Sequence, residues 1–429
     1  MADGTARSAP EVRAVEVVGV FAGPWDTGWP AKDGAVIGFE DIYLAFSTAA
    51  ETGELKLATA GLDIFRDYQR VAEFLASCDV VYANCGPWAA LLHLVRAREE
   101  LNVRIIREVR TVGWVGYIWQ EAVASRLQRP GDQRIFPSRY SRDIWDWALS
   151  EASPARIYYP MIRGNSQQTV RTTPSRGTAG FFSALSHDKG FSSLPDVMSR
   201  MRDAGHRIDR LVLAGRQADP DLYTKVVNGL SEIGIDVQYH GGLPNDSARE
   251  LMATCDCIFF LTTSSIESLG RVMVEASAQR VPVVTADFGA AVDLVSAEFR
   301  IPVDYPTEAT GRSDTSFPMA RLAVERWKPP RIFTADACYL PAVGEYLADA
   351  QPTADILNPP HPPQLANPRP VRFSFECEVD ALRLADKLLD ELDSLHNKPI
   401  HELVDLGGAL KQYLLTNGYN PRVSFTATA

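Results

Sequence analysis

The sequence predicts an α/β protein of two doubly wound, Rossmann-like domains that face a central cleft. Three observations lead there. Strand-like apolar runs alternate with helix-period segments along two separate stretches of the chain, the pattern of parallel sheets covered on both faces. Between them lies "RGNSQQTVRTTPSRGTAG" at 163–180, polar and rich in Ser, Thr, Gly and Pro, which reads as a linker. The length of 429 residues and the apolar share of 46% suit two or three domains with sizeable cores.

The first series opens with "VRAVEVVGVFA" at 12–22, a buried strand that runs into the loop "GPWDTGWPAKDG". "CDVVYANCG" at 78–86 is a second apolar run, followed by "WAALLHLVRAREEL", whose apolar residues recur at spacings of three and four and predict a helix. "VRIIREVRTVGW", then "QRIFPSRYSRDIWDWALS" as strand, turn and helix, then "ARIYYPMI" complete a domain over 1–165. The second series begins at "GFFSAL" and alternates strand and helix through "RIDRLVLAG", "DLYTKVVNGLSEIG", "IDVQYHGG", "NDSARELMATC", "DCIFFLTTSS", "LGRVMVEASAQR" and "VPVVTADFG". It defines a domain over 175–395. Residues 302–370 hold 13 of the chain's 28 prolines and predict extended loops or an insertion. "EVDALRLADKLLDELDSL" and "IHELVDLGGALKQYLL" predict two closing helices, the second within a C-terminal segment, 396–429, expected to pack back on the first domain.

Composition narrows the function. A formal charge of −11 argues against a generic nucleic-acid or anionic-membrane binder. The six cysteines form no CxxC pair and no zinc spacing, so buried reduced thiols are expected, with Cys255 and Cys257 on one face of a strand. The beginning of the sequence shows no cationic segment leading into an apolar one, and no run of about 18 apolar residues occurs. A cytoplasmic protein without an integral membrane segment is the expectation.

The chemistry concentrates in "ESLGRVMVEA" at 267–276, where Glu267 and Glu275 stand eight positions apart around Gly270. If a helix starts near Gly270, the amides of Leu269, Gly270 and Arg271 are unpaired donors at its positive end, an anion site by construction. Phosphate suits them. Glu275 then lies roughly 7 Å further along at about 1.5 Å per residue, in reach of two ribose hydroxyls, while Glu267 lies before the helix, where a sugar would meet it. The spacing matches a three-part ligand of nucleoside, diphosphate and glycosyl group.

The stretch "TSSIESLGRVMVEASAQRVPVVTADFGAAVDLV" at 263–295 resembles the E-x7-E segment of retaining glycosyltransferases of the GT-B fold, in particular glycosyltransferase family 4. "SALSHDKGFSSL" resembles that family's phosphate loop, "LVLAG" its middle strand, and "VQYHGGLPNDSARELMATCDCIFFLTTSS" its nucleotide-side strands and helix. The likeness covers about 175–305 well and the first 165 residues loosely. It implies that Glu275 binds the ribose, that Glu267 contacts the donor sugar, and that Lys189 is the cation that neutralises the leaving diphosphate. His240, in "YHGGL", falls beside the nucleobase loop. Two departures stand out: where the family has an arginine five residues before the lysine this chain has Ala184, for which Arg216 would be the replacement. Where the family carries a histidine near the reacting sugar, the matching place is Arg110 or its neighbours Glu108 and Thr111. His93, on an amphipathic helix, is expected to be structural.

The resemblance implies transfer of a sugar from a nucleotide-diphosphate sugar, UDP- or GDP-linked, with retention of configuration, and catalytic roles for Lys189, Glu267 and Arg110. The donor is a substrate. No separate cofactor and no metal are expected, since fixed positive charge would stabilise the leaving group. A small-molecule or glycan acceptor would meet Trp25, Asp26, Trp29 and Trp114 of the first domain. Two other readings stay open: a nucleotide-sugar epimerase of the same architecture, and a non-catalytic partner of an active transferase, suggested by Ala184 and the absent histidine.

Overall fold

A computed structural model describes residues 16–21, 34–61, 64, 67–83, 87–110, 121, 123–148, 155–157, 177–264, 267–304, 320–340, 371–376 and 422–427. The first domain is built on β1 (Val17–Phe21), α1 (Gly34–Glu51), β2 (Lys56–Ala60), α2 (Tyr68–Ala76), β3 (Val80–Ala83), α3 (Pro87–Arg98), β4 (Arg104–Glu108), β5 (Gln133–Phe136), α4 (Arg139–Ala148) and β6 (Ala155–Ile157). Its six strands run in the order β2-β1-β3-β4-β5-β6, and every neighbouring pair is parallel.

The second domain repeats the plan with β7 (Thr178–Phe182), α5 (Leu194–Asp203), β8 (Arg210–Ala214), α6 (Pro220–Glu232), β9 (Asp236–Tyr239), α7 (Asn245–Met252), β10 (Cys257–Phe260), α8 (Arg271–Ala278), β11 (Val283–Ala286) and β12 (Arg300–Ile301). Its order is β12-β11-β10-β7-β8-β9, again parallel throughout. The expected α/β class with two doubly wound sheets is therefore the observed one.

Strand composition follows position in each sheet. β3, β7, β10 and β11 are buried at every residue, as central strands covered by helices on both faces must be. The edge strands β2 and β9 are only half-buried, and they carry Lys56, Thr59, Asp236 and Gln238, polar groups that discourage edge-to-edge pairing. Helix starts are set by short polar side chains. Asp67 accepts from the amides of Gln69 and Arg70 ahead of α2, and Asp219 does the same for Asp221 and Leu222 ahead of α6, with Pro220 at the first helical position. Each such cap contributes about 1 kcal/mol.

Four features differ from the sequence reading. Residues 34–76 carry α1, β2 and α2, a helix-strand-helix passage beyond the elements expected between the first loop and residue 78. Cys255 and Cys257 do not share a face: Cys255 packs with Ile258 and Phe260, and Cys257 with Phe259 and Leu261, in separate cores. The reason is that β10 begins only at Cys257 while Cys255 belongs to the turn closing α7, its amide bonded to the Met252 carbonyl. Within the proline-rich stretch, Val303–Asp304 and Arg321–Leu322 form an antiparallel pair, and Trp327 is buried in the second domain's core with its indole N–H donated to the Glu298 carbonyl. Finally, Val371–Glu376 and Arg422–Ala427 pair as antiparallel strands; the two expected closing helices lie between them, outside the described residues.

Cys78, Cys255, Cys257 and Cys338 are buried free thiols; Cys85 and Cys377 lie outside the described residues. Among the described residues no helix is long and apolar enough to cross a membrane.

His93 belongs to a charged knot inside the first domain. Arg96 grips both oxygens of Asp132 at 2.6 and 2.7 Å and touches His93 Nδ1 at 3.1 Å, while Asp132 accepts the Ile105 amide at 2.9 Å. The imidazole is buried. Burial, then the charges of Arg107 and Arg96, hold its pKa well below the ordinary value. A histidine kept neutral in the fold must take a proton on unfolding in acid, so its contribution to stability is complete above about pH 6.5 and declines as pH falls below that value, by up to about 1.4 kcal/mol per unit. We expect His93→Gln to flatten the fall in melting temperature of the wild type between pH 7 and pH 5; parallel curves would show that the imidazole charges without cost.

Candidate functional site

In a doubly wound sheet the strand order reverses at one point, and ligands bind outside the carboxyl ends there. In the second domain the reversal falls between β7 and β10, since β8 and β9 lie to one side and β11 and β12 to the other. The segments leaving those two strands are Ser183–Gly190 and Leu261–Gly270. Between them they hold Lys189, Glu267 and the start of α8, which are separated by up to 81 positions in sequence.

The first segment is pressed onto the second. Gly190 has a φ of 74°, and a Cβ there would collide with the Leu261 carbonyl. Thr262 Oγ1 donates to the Asp188 carbonyl at 2.8 Å. This contact carries Lys189 across the strand ends, and its ammonium donates to Glu267 Oε2 at 2.6 Å, with Asp188 at 4.0 Å on the other side. Burial alone would lower the pKa of the Lys189 ammonium; the charge and hydrogen bond of Glu267, with help from Asp188, outweigh that, and the net direction is upward. Lys189 is thus a fixed cation.

The second segment turns into α8 through Gly270. Its φ is 85°, and a Cβ would collide with the Phe260 ring. Both constraints require glycine. The turn brings the buried Leu269 and Gly270 to the mouth of the helix, where neither amide donates a hydrogen bond among the described residues. Five residues on, Glu275 is buried in α8. Its Oε1 accepts from Asn245 Nδ2 at 2.9 Å and from Arg271 Nε at 2.8 Å. No bond among the described residues engages Oε2.

The site faces the first domain. Ser138 Oγ donates to the Ser268 carbonyl, Tyr140 packs on Phe288 with ring centres 5.7 Å apart, and Arg271 Nη2 reaches Asp41 on α1 at 2.7 Å. These partners follow the carboxyl ends of β5 and β1, so the functional edges of both sheets meet. Arg110, just past β4, is held by both oxygens of Glu108, at 2.6 and 2.9 Å, and Glu108 also accepts from Tyr82 at 2.7 Å. The guanidinium lies against Gly38, one turn before Asp41 on α1.

Lys189, Glu267, Leu269, Gly270, Arg271 and Glu275 therefore form one continuous group at the switch point, and Arg110 lies in the opposite domain against Gly38, one turn before the Asp41 that Arg271 meets. Arg216 and His240 stand off to one side, exposed. The Arg216 carbonyl accepts the Leu185 amide at 2.9 Å, which sets Arg216 beside Ala184, the position the sequence reading asked it to compensate. His240 follows β9, its amide bonded to the Leu213 carbonyl. Trp25, Asp26, Trp29, Trp114 and Thr111 lie outside the described residues. His93 is far from this group in role, locked in the first domain's interior.

Sequence reasoning missed Asp41, Asp188, Ser138 and Asn245. Asn245 has a signal, as the polar first residue of a helix in the segment just before β10; Asp41 has none, because α1 carries no acidic first turn and no basic last turn to mark it. Arg271, singled out for its amide, contributes its side chain as well.

Two hollows border the Lys189 turn. A narrow recess is lined by Glu267, Leu269, Phe288 and Gly289. An open groove of about 580 Å³ runs along α5, lined by Asp196, Asp203 and Glu325 and by His187, Arg200 and Arg321 among others, a nearly balanced set of charges. Among the described residues no three His, Cys, Asp or Glu side chains converge as a metal centre.

The fold and site define a protein of GT-B architecture, two Rossmann-like domains whose strand ends meet. A family model described as glycosyl transferases group 1 matches residues 166–304, the span that contains the switch-point group. Among solved structures the chain is similar to Anabaena Alr3699/HepE in complex with UDP and glucose, at 19% identity and a TM-score of 0.47, over 64% of this chain and 82% of that one. It is likewise similar to a glycosyltransferase from Rickettsia africae, at 12% identity and a TM-score of 0.48, over 65% and 81%. The lipopolysaccharide outer core galactosyltransferase WaaB gives 12%, 0.45, 64% and 81%. No curated protein matches the chain in sequence. The architecture follows from the sheet order and register above, not from these partial superpositions.

Gly270→Ala places a side chain at a positive φ and into the Phe260 ring, a combination that costs on the order of 2 to 4 kcal/mol. A melting temperature within a degree of wild type would mean that the turn into α8 is not fixed as described.

Proposed function

We propose that this protein transfers a sugar from a nucleotide-diphosphate sugar to an acceptor with retention of configuration. The observation that carries the reading is the convergence, at the switch point of the second sheet, of Lys189, Glu267, the glycine-started helix and the open oxygen of Glu275. The family match over 166–304 supports it. Each part answers one portion of the donor. Glu275 Oε2 accepts from the ribose hydroxyls, the amides of Leu269, Gly270 and Arg271 meet the diphosphate, and Glu267 meets the glycosyl group.

In this reaction the bond from the anomeric carbon to the diphosphate oxygen breaks as the acceptor oxygen bonds to the same face of that carbon. The acceptor proton passes to the departing diphosphate oxygen. Negative charge grows on the leaving group, and Lys189, already held cationic, is the group that offsets it. In the absence of donor its charge is matched by Glu267 at 2.6 Å; on donor binding the ammonium turns toward the diphosphate and frees that carboxylate for the sugar. Arg110, fixed by Glu108, brings a further positive charge from the first domain. Arg216 supplies the cation that Ala184 does not, and His240 borders the nucleobase. No separate cofactor or metal enters this scheme. Trp25, Asp26, Trp29 and Trp114 are proposed as acceptor contacts on their side-chain chemistry alone, since aromatic rings suit a glycan or small-molecule acceptor.

Calorimetry and thermal shift with UDP and GDP test the donor assignment. A ligand present at a hundred times its dissociation constant adds about 2.7 kcal/mol of stability, and we expect one of the two to raise the wild-type melting temperature accordingly. Glu275→Ala and Lys189→Ala should each abolish most of that rise. Shifts that persist undiminished in both variants would remove the nucleotide from this site.

A further inference from the structure

Arg271 is the first residue of α8 and touches both domains. Its side chain is 10% exposed, with Nε on Glu275 Oε1 at 2.8 Å and Nη2 on Asp41 Oδ2 at 2.7 Å. Asp41 is a buried acid on α1 of the first domain, 230 positions away in sequence. The chain of contacts runs from Asp41 through Arg271 to the carboxylate of Glu275, whose other support is Asn245.

Geometry gives this chain a consequence. A carboxylate on a helix turns freely about its last torsion unless something fixes it. Arg271 and Asn245 converge on one oxygen of Glu275, which settles the plane of the group and directs Oε2 away from them. Arg271 in turn needs Asp41: its guanidinium is shielded from water, and among the described residues Nη1 has no hydrogen-bond partner, so losing Asp41 would leave a buried cation with Glu275 as its remaining described partner. An unmatched buried charge finds the nearest anion. Without Asp41, Arg271 would close over Glu275 and take Oε2.

We propose that Asp41 is a positioning residue for the donor site, acting from the opposite domain by holding Arg271 in the orientation that leaves Glu275 Oε2 open to the nucleoside. This rests on the reading of Glu275 as the ribose acceptor. It adds that nucleotide affinity depends on a residue that never touches the nucleotide, and that the Asp41–Arg271 ion pair fastens the two domains together. The neighbouring position supports the same placement, because Gly38, one turn earlier on the same face of α1, lets Arg110 lie flat against the helix.

The test uses the full chain, with UDP and GDP as probes. Asp41→Asn keeps the size of the side chain and removes its charge; we expect nucleotide affinity to fall about tenfold, within the usual range of coupling between sites. Asp41→Glu should recover part of it. In a Glu275→Gln background, Asp41→Asn should cost no further affinity, since the effect passes through that carboxylate. Small-angle scattering without nucleotide reads the domain contact on its own, and Asp41→Asn should enlarge the radius of gyration. Affinity within about twofold of wild type in Asp41→Asn, with only the melting temperature lowered, would make the residue merely structural and overturn the proposal. If the wild type binds neither nucleotide, the ribose assignment falls with it. The scattering result then decides the domain contact alone, and an unchanged radius overturns that half as well.

Discussion

The site depends on one backbone constraint, the left-handed turn at Gly270 packed on the Phe260 ring. That contact fixes where the chain leaving β10 becomes α8, and everything chemical is measured from it. Leu269 and Gly270 keep their amides free of hydrogen bonds among the described residues because the turn sets them ahead of the first helical bond. Glu267 lies before the turn and reaches Lys189, while Arg271 and Glu275 lie after it and reach the first domain and Asn245. A side chain at 270 would push the ring or the helix, and the carboxylates at either end would lose their common frame.

Around that turn the protein arranges charge in matched pairs rather than as a basic patch. Lys189 is answered by Glu267, Arg271 by Asp41 and Glu275, and Arg110 by Glu108. Each cation is partly or wholly withdrawn from water, where an unanswered charge is costly and a matched one is held in a single geometry. A site built this way is preorganised for an anion that can replace one of the internal partners. In a chain with a net charge of −11, the site offers no basic patch: its cations are few, and each is held against an acid.

Much of this was legible in the residues. Buried parallel strands must be apolar on both faces, so runs such as "CIFF" and "VVTA" announce themselves, and the glycine between two acids identifies the start of α8. Less was legible in the first domain. α1 is apolar over much of its length and lacks an acidic first turn or a basic last one, so it offers neither a polar stripe nor an end signal to separate it from its surroundings. β2 is an edge strand of mixed character. The two cysteines at 255 and 257 show the limit in miniature, because alternation of faces holds only inside a strand and the boundary fell between them.

The sequence by itself determined the two alternating series, the helix start at Gly270 and the acids flanking it, because these depend on local periodicity and on the conformational freedom of one residue. Only the tertiary structure decided that Lys189 pairs with Glu267, that Asn245 and Arg271 converge on one oxygen of Glu275, and that Asp41 reaches across from the other domain. Those contacts join residues up to 230 positions apart. Their geometry is set by sheet order and domain packing, which no local pattern encodes.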